Sequence, residues 1–165
     1  MGTNNVNNDI VDVSLSGARK KKIRIDGDDN RILELNTSDL NLIVRLREVY
    51  PQLTSLSNDA FSNWTEKEIS DSENTDFMSN PTVSKITELL KETDAKMREL
   101  IDYIFDSNVS EVCAPSGSMY DPVGGKLRYE HIVDCLSSLY EKDISTEMKK
   151  ISKRVQKHTD KYTHK

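Results

Sequence analysis

Residues Val112–Tyr140 read VCAPSGSMYDPVGGKLRYEHIVDCLSSLY, and this stretch decides the fold because it joins two strongly helical segments through a turn-rich loop. It contains both cysteines of the chain, one of the three histidines, two of the four prolines and three of the six glycines. Proline and glycine at this density indicate tight turns. A specific recognition surface is expected near this loop. The stretch matches no catalytic motif, which favours a protein that is not an enzyme.

Apolar residues recur at three- and four-residue steps on both sides of the loop, which predicts amphipathic helices. Upstream, a long helix is predicted from Thr82 to Ser107. Downstream, a helix is predicted from about Lys126 to Lys142. A thinner apolar line then extends the helical pattern to about His158, and it consists of Ile144, Met148, Ile151 and Val155.

An earlier helix is predicted after the run Asn36-Thr37-Ser38-Asp39, because these side chains accept hydrogen bonds from free N–H groups at a helix start. Apolar residues follow at helical spacing, with Arg47 as a polar break: Leu40, Ile43, Val44, Leu46, Val49, Tyr50 and Leu53. Pro51 disfavours a helical conformation of Tyr50, so a kink or an end of the helix is expected there.

The N-terminal part of the chain predicts a β-hairpin. Ile23 and Ile25 alternate with charged residues, and Leu33 and Leu35 do the same after the turn residues 26–30. An isolated hairpin is marginally stable in water, so this one must pack against the helices. The expected fold is therefore mainly α with a small N-terminal β-hairpin (α+β), as a bundle of three to four helices.

The length of 165 residues suggests one domain with tails. We expect a flexible arm over residues 1–17, a single α-rich domain over residues 18–142, and a basic helical tail over residues 143–165. A mobile acidic insertion is expected within the domain at about residues 57–80, where apolar periodicity is lost.

Composition narrows the class of protein. The formal net charge of −5 argues against general nucleic-acid binding, and no apolar run is long enough to cross a membrane. The first residues lack the apolar core of a secretory signal. Two cysteines do not make a disulfide framework, so we expect a cytosolic protein with reduced thiols.

The reactive side chains of the loop do not match the motifs of zinc sites or of nucleophilic catalysis. Cys113, His131 and Cys135 are the residue types that bind zinc, but the paired short spacings of zinc sites are absent. Cys135 lies between apolar neighbours, which suits a buried thiol. Ser116 and Ser118 lack the context of a nucleophile elbow. We therefore expect no catalytic residue, no metal and no cofactor.

Protein–protein contact is the function that the residues favour. The helices carry more methionine, leucine, isoleucine and tyrosine than one small core must consume, although core packing is the competing explanation. The candidate partner-binding residues are Met119, Tyr120, Tyr129, Leu136 and Tyr140. We expect no membrane partner, and nucleic acid is disfavoured as a partner. The sequence is compatible with a homo-oligomer.

Three segments together resemble a known family. They are KKKIRIDGDDNRILELNTSDLNLIVRLREVYPQL, TDAKMRELIDYIFDSNVSEVCAPSGSMYDP and GGKLRYEHIVDCLSSLYEK, within residues 20–53 and 93–142. They are similar to small proteins from the tail-gene region of phages and prophages of Gram-positive bacteria, which are described as tail assembly chaperone-like. The resemblance covers about half of the chain and carries no functional residues with it.

The resemblance implies a non-enzymatic role in tail assembly in the cytoplasm of the host bacterium. The implied partner is the tape-measure protein, whose apolar helices such a chaperone keeps in solution. Two alternatives are a structural component of the virion and a small phage protein that binds a host defence enzyme.

Overall fold

The computed structural model describes residue 13 and residues 20–62 and 81–163. It is mainly helical with an N-terminal antiparallel hairpin, so the predicted fold class is confirmed. The elements in chain order are β1 (Lys21–Ile25), β2 (Asp28–Leu35), α1 (Asn41–Ser62), α2 (Pro81–Phe105), α3 (Val109–Cys113), β3 (Pro122–Val123), β4 (Lys126–Leu127) and α4 (Arg128–Thr163). Apart from residue 13, the predicted N-terminal arm lies outside the described residues, as does the insertion from residue 63 onwards.

The N-terminal hairpin turns more tightly than the sequence predicted. Ile25 pairs with Asp28, so the loop is only Asp26 and Gly27. Both have positive φ, 52° and 73°, as a type I′ turn requires. Residues 28–30, expected in the turn, belong to β2 instead. Leu33 and Leu35 point into the core, as the alternation predicted.

Helix α1 begins just after its predicted start. The Asp39 carboxylate accepts a hydrogen bond from the backbone N–H of Asn41 at 2.9 Å, which satisfies a free donor at the helix end. The helix does not end at Pro51 but continues to Ser62, so residues 57–62 are helical rather than part of an irregular insertion. Val49 and Leu53 are buried on either side of Pro51. Their packing favours a continuous helix despite the lost backbone bond.

Helix α2 agrees with the prediction and contributes a large share of the core. Its buried residues follow helical spacing and are Thr93, Met97, Ile101, Ile104 and Phe105. The helix is followed by Asp106 with a φ of 49°, and the short helix α3 starts three residues later. The chain then crosses the bundle to a second small hairpin, β3–β4.

Helix α4 is one continuous helix of 36 residues, where the sequence predicted a domain helix and a separate tail. Its first half packs on the core through Tyr129, Ile132, Val133, Leu136 and Tyr140. Ile144 is half-buried, and every side chain from residue 145 to residue 157 is exposed. The helix therefore extends beyond the body of the domain.

One hydrophobic cluster unites the hairpin, the helices and the loop between α3 and β3. Polar contacts join α4 to β1 and to the segment between β2 and α1: Asp143 accepts a hydrogen bond from the Thr37 hydroxyl and forms an ion pair with Lys21 at 2.5 Å. These two contacts lower the pKa of the Asp143 carboxyl, Lys21 having the larger effect.

Candidate partner-binding surface

The five residues predicted to bind a partner do not form an exposed surface. Met119, Tyr129, Leu136 and Tyr140 are each less than 5 % exposed and belong to the core. Tyr120 is half-buried and packs against the same cluster. The methionine and aromatic residues of the loop are therefore consumed by the core, which is the explanation that competed with partner binding.

The two buried tyrosines of α4 show why this face is filled. The ring of Tyr140 lies 5.9 Å from that of Phe105, and the ring of Tyr129 lies 6.2 Å from that of Tyr50. Burial raises the pKa of Tyr140 to about 12, with a further contribution from the Asp39 carboxylate. These aromatic contacts bind α4 to both α1 and α2.

Side chains of α2 hold α3 and the loop that follows it. The Asp102 carboxylate accepts hydrogen bonds from the backbone N–H and the hydroxyl of Ser110, at 2.6 and 2.8 Å. One turn earlier, the Arg98 guanidinium donates to the carbonyl oxygens of Ser110, Ala114 and Gly117. The loop is thus a packed part of the domain rather than a flexible connector.

Arg31 fastens the same region from the hairpin side. Its guanidinium donates to the carbonyl oxygens of Val112 and Cys113 at 2.9 and 2.8 Å and pairs with Asp26 at 2.8 Å. The carbonyl oxygens at the end of α3 therefore accept hydrogen bonds from Arg31 of β2, which lies 81 residues before Val112 in the sequence.

The cysteines and His131 do line one cleft, of about 260 Å³, between the first hairpin and α4. The Cys135 Sγ lies 3.9 Å from the His131 Nε2. Cys135 is exposed, so the prediction of a buried thiol is wrong for this residue. Burial raises the pKa of the Cys113 thiol to about 11, which disfavours the thiolate needed by a nucleophile or a zinc ligand. No three His, Cys, Asp or Glu side chains of the described residues form a metal-binding group.

One exposed apolar surface lies at the start of α1. Leu40 lies immediately before α1, and Ile43 and Val44 follow it by three and four residues in the first turn of the helix. The three side chains are 54 %, 56 % and 62 % exposed. Three such residues side by side are unusual on a surface that is otherwise rich in charge. We call this set the α1 apolar face.

A groove adjoins the α1 apolar face and runs between α1 and α4. Its volume is about 500 Å³, and it is lined by Ile43, Leu46, Arg47, Tyr50, Pro51, Val133, Asp134 and Ser137. We call it the α1–α4 groove. Its wall is mostly apolar, with charge only at Arg47 and Asp134, and Ile43 belongs both to the groove and to the α1 apolar face.

The polar groups of the groove are few. Asp134 forms an ion pair with Lys126, which raises the pKa of the Lys126 ammonium. Burial raises the pKa of Tyr50, so its hydroxyl stays neutral at physiological pH. The buried Ser137 hydroxyl has no hydrogen-bond partner within the described part of the chain. The groove therefore presents mainly apolar side chains.

The sequence contained a signal for this surface. The apolar residues of α1 occupy more of the helix circumference than one buried face needs. The residues that are buried in α1 include Leu42, Val49 and Leu53, and Leu46 is partly buried. The exposed surface is formed by the apolar residues of α1 that lie outside this buried stripe, and not by the residues of the loop between α3 and β3.

Comparisons with known proteins identify no relative. No family model matches the chain, and neither a curated protein nor a solved structure matches it significantly. None of the described helices combines the length and the apolar character that a membrane crossing requires.

Proposed function

We propose that this protein is a non-enzymatic binding protein of phage tail assembly, which shields an apolar helical segment of the tape-measure protein in the host cytoplasm. The proposal joins the resemblance of residues 20–53 and 93–142 to tail assembly chaperone-like proteins with the surface described above. The α1–α4 groove and the α1 apolar face form the docking site.

The exposure of Leu40, Ile43 and Val44 beside an open groove carries the proposal. An amphipathic helix that lays its apolar side chains into such a groove is a common mode of recognition. Each of the three residues is about half exposed, so covering it stabilises a complex by roughly 1 kcal/mol. The contribution of the groove wall adds to this.

The same geometry suits a partner that must later leave. The groove is open and shallow, and no charged side chain is buried in it to lock a partner in place. Apolar contacts of moderate area produce affinity without a rigid interface. A chaperone needs this combination because its client is released when the tail polymerises.

Co-expression with the tape-measure protein of the same phage tests the proposal. We expect the two proteins to co-purify and the tape-measure protein to lose solubility when expressed alone. Ile43→Asp should abolish co-purification, because it places a charge at the junction of the groove and the α1 apolar face. Leu89→Asp is the matched control, since it makes the same change on an exposed part of α2 that does not line the groove.

Three outcomes would contradict the proposal. The first is a tape-measure protein that is equally soluble alone, and the second is full binding by Ile43→Asp. The third is retention of the protein in purified virions, which would favour a structural component. Selective recovery of one host enzyme through the same groove would favour the host-binding alternative.

A further inference from the structure

The distal half of α4 carries an apolar stripe that the core does not use. Met148, Ile151 and Val155 are 50 %, 53 % and 58 % exposed, and Ile144 begins the stripe at the edge of the core. The four residues follow steps of four, three and four. This is the a/d pattern of a coiled coil, with Ile144 and Ile151 at d positions and Met148 and Val155 at a positions.

The charged residues around the stripe are arranged for a helical partner. The four lysines between residues 145 and 157 occupy outer positions of the heptad, away from the stripe, and they are Lys149, Lys150, Lys153 and Lys157. Only two charged residues flank the stripe at g positions, Glu147 and Arg154, and they have opposite signs. The basic character of this helix is therefore kept away from the face that a partner would cover.

We propose that the partner of this stripe is a second copy of the same chain, with the two distal α4 segments packed antiparallel. The inference goes beyond the proposed function because it uses neither the α1–α4 groove nor the α1 apolar face. A twofold axis at the height of the Lys149–Lys150 peptide bond pairs Ile144 with the partner's Val155, and Met148 with the partner's Ile151. Every apolar residue of the stripe then meets an apolar residue.

The same axis pairs the charges. It places Glu147 beside the partner's Arg154 on both sides of the symmetric interface, so two ion pairs form between chains. Glu147 already contacts Lys150 within its own helix at 2.6 Å and has a second oxygen for the partner. On the opposite flank, Ser145 faces the partner's Ser152, which introduces no repulsion. One axis thus satisfies the apolar layers and the charges together.

A parallel arrangement of the two helices would not pair these charges. In that arrangement a g position faces an e position of the partner, so Glu147 would meet the partner's Ser152 and form no ion pair. Most helical stability in proteins comes from packing of an apolar face, and residues 145–157 of α4 are exposed, so a neighbouring helix would stabilise this segment. The opposite signs of Glu147 and Arg154 favour a second copy over an acidic helix from another protein.

Sedimentation equilibrium of the full chain tests the pairing. We expect the apparent mass to rise with protein concentration from 18.8 kDa towards twice that value. Ile151→Lys should keep the protein monomeric, and circular dichroism should show an unchanged fold because the residue is exposed. Thr146→Lys is the matched control: it adds the same lysine at an outer position and should leave the dimer intact.

Charge reversal tests the antiparallel register. Glu147→Arg and Arg154→Glu should each weaken the dimer about tenfold, because two ion pairs become two repulsions. An equal mixture of the two variants should recover dimers, since each chain then supplies the charge that the other lacks. For a parallel dimer, the dissociation constant should be the same for the two variants, for their mixture and for the original protein.

The proposal is overturned if the apparent mass in sedimentation equilibrium stays at that of the monomer at the highest protein concentrations. A dimer that tolerates Ile151→Lys overturns the role of the stripe, and a dimer that is indifferent to the charge reversals overturns the antiparallel register. A monomeric chain that captures an acidic helical protein through Ile151 overturns the second copy as the partner. Because Ile43→Asp should leave the dimer unchanged, failure of this inference is distinguishable from failure of the proposed function.

Discussion

The Asp94 carboxylate accepts a hydrogen bond from the backbone N–H of Met119 at 2.6 Å, across 25 residues of sequence. Its second oxygen accepts from the Arg98 guanidinium, also at 2.6 Å. Arg98 in turn donates to three carbonyl oxygens of the segment that leads to Met119. These polar contacts hold the loop against α2 and place the Met119 side chain in the core, where it is fully buried.

Arg98→Ala should destabilise the protein by about 2–3 kcal/mol, because three carbonyl oxygens lose a charged donor and Asp94 loses its ion pair. Urea unfolding followed by circular dichroism measures the change. Lys91→Ala on the exposed side of α2 is the control and should fall within about 0.5 kcal/mol of the original protein. Equal stability of the two variants would show that the Arg98 contacts do not hold the loop.

Two glycines with positive φ should respond differently to alanine. Gly27 has a φ of 73° and no atom near the position of an added Cβ, so Gly27→Ala should cost about 1 kcal/mol through backbone strain alone. At Gly117 the φ is 88°, and an added Cβ would lie 2.6 Å from the Asp121 carboxylate.

Gly117→Ala should therefore cost more than Gly27→Ala, by about 1 kcal/mol, because the Asp121 side chain must move. That movement weakens its hydrogen bond from the Ser118 N–H, which is 2.8 Å long. Thermal unfolding of both variants under one condition measures the difference. The reverse order of stability would contradict the described packing of Gly117.

Cys113 should react slowly with iodoacetamide in the folded protein. Its pKa of about 11 means that the thiolate population at pH 8 is about a hundredfold smaller than for the same residue in the unfolded chain. Mass spectrometry after timed alkylation, performed on a Cys135→Ser variant, measures the rate. The same variant in denaturant is the control, and equal rates in both states would refute the burial of this thiol.

Tyr140 should make the protein sensitive to alkaline pH. Its pKa is about 12 in the folded state and about 10 in the unfolded chain, so the folded state retains the proton over a wider range. This contribution to stability is complete below pH 10 and is lost as the pH rises from about 10 to about 12.

Tyr140→Phe removes this titration while keeping the aromatic contact with Phe105. Between pH 9 and pH 11, we expect the free energy of unfolding of the variant to fall less than that of the original protein, by about 1 kcal/mol. Denaturant titrations at the two pH values measure it. Parallel losses in both proteins would mean that Tyr140 does not contribute.

Much of the secondary structure could be predicted from the sequence, because it depends on near neighbours. The alternation around Ile23 and Leu33 predicted the hairpin, and the helical spacing from residue 82 to residue 107 predicted α2 within two residues. Pro51 was misleading because its local preference was outweighed by the buried residues on each side of it. The change of composition at residue 143, where a helical tail was predicted to begin, does not coincide with the end of a helix, because α4 continues to Thr163.

The candidate surface could be predicted only in part. The sequence indicated an excess of apolar residues for one small core and favoured contact with another protein. It did not show which apolar residues are exposed: the predicted partner-binding residues Met119 and Tyr140 are buried, whereas Ile43 and Val44 are exposed. Periodicity marks a face as apolar but does not show whether another element covers it.

The sequence by itself therefore determined the class of fold, the positions of the hairpin and of the long helices, and the lack of any recognised catalytic motif. These follow from turn chemistry and from the spacing of apolar residues along the chain. Only the tertiary structure decided which apolar residues form the core and which remain exposed. Burial depends on contacts between distant residues, such as Thr37 with Asp143 across 106 positions, and no local pattern records them.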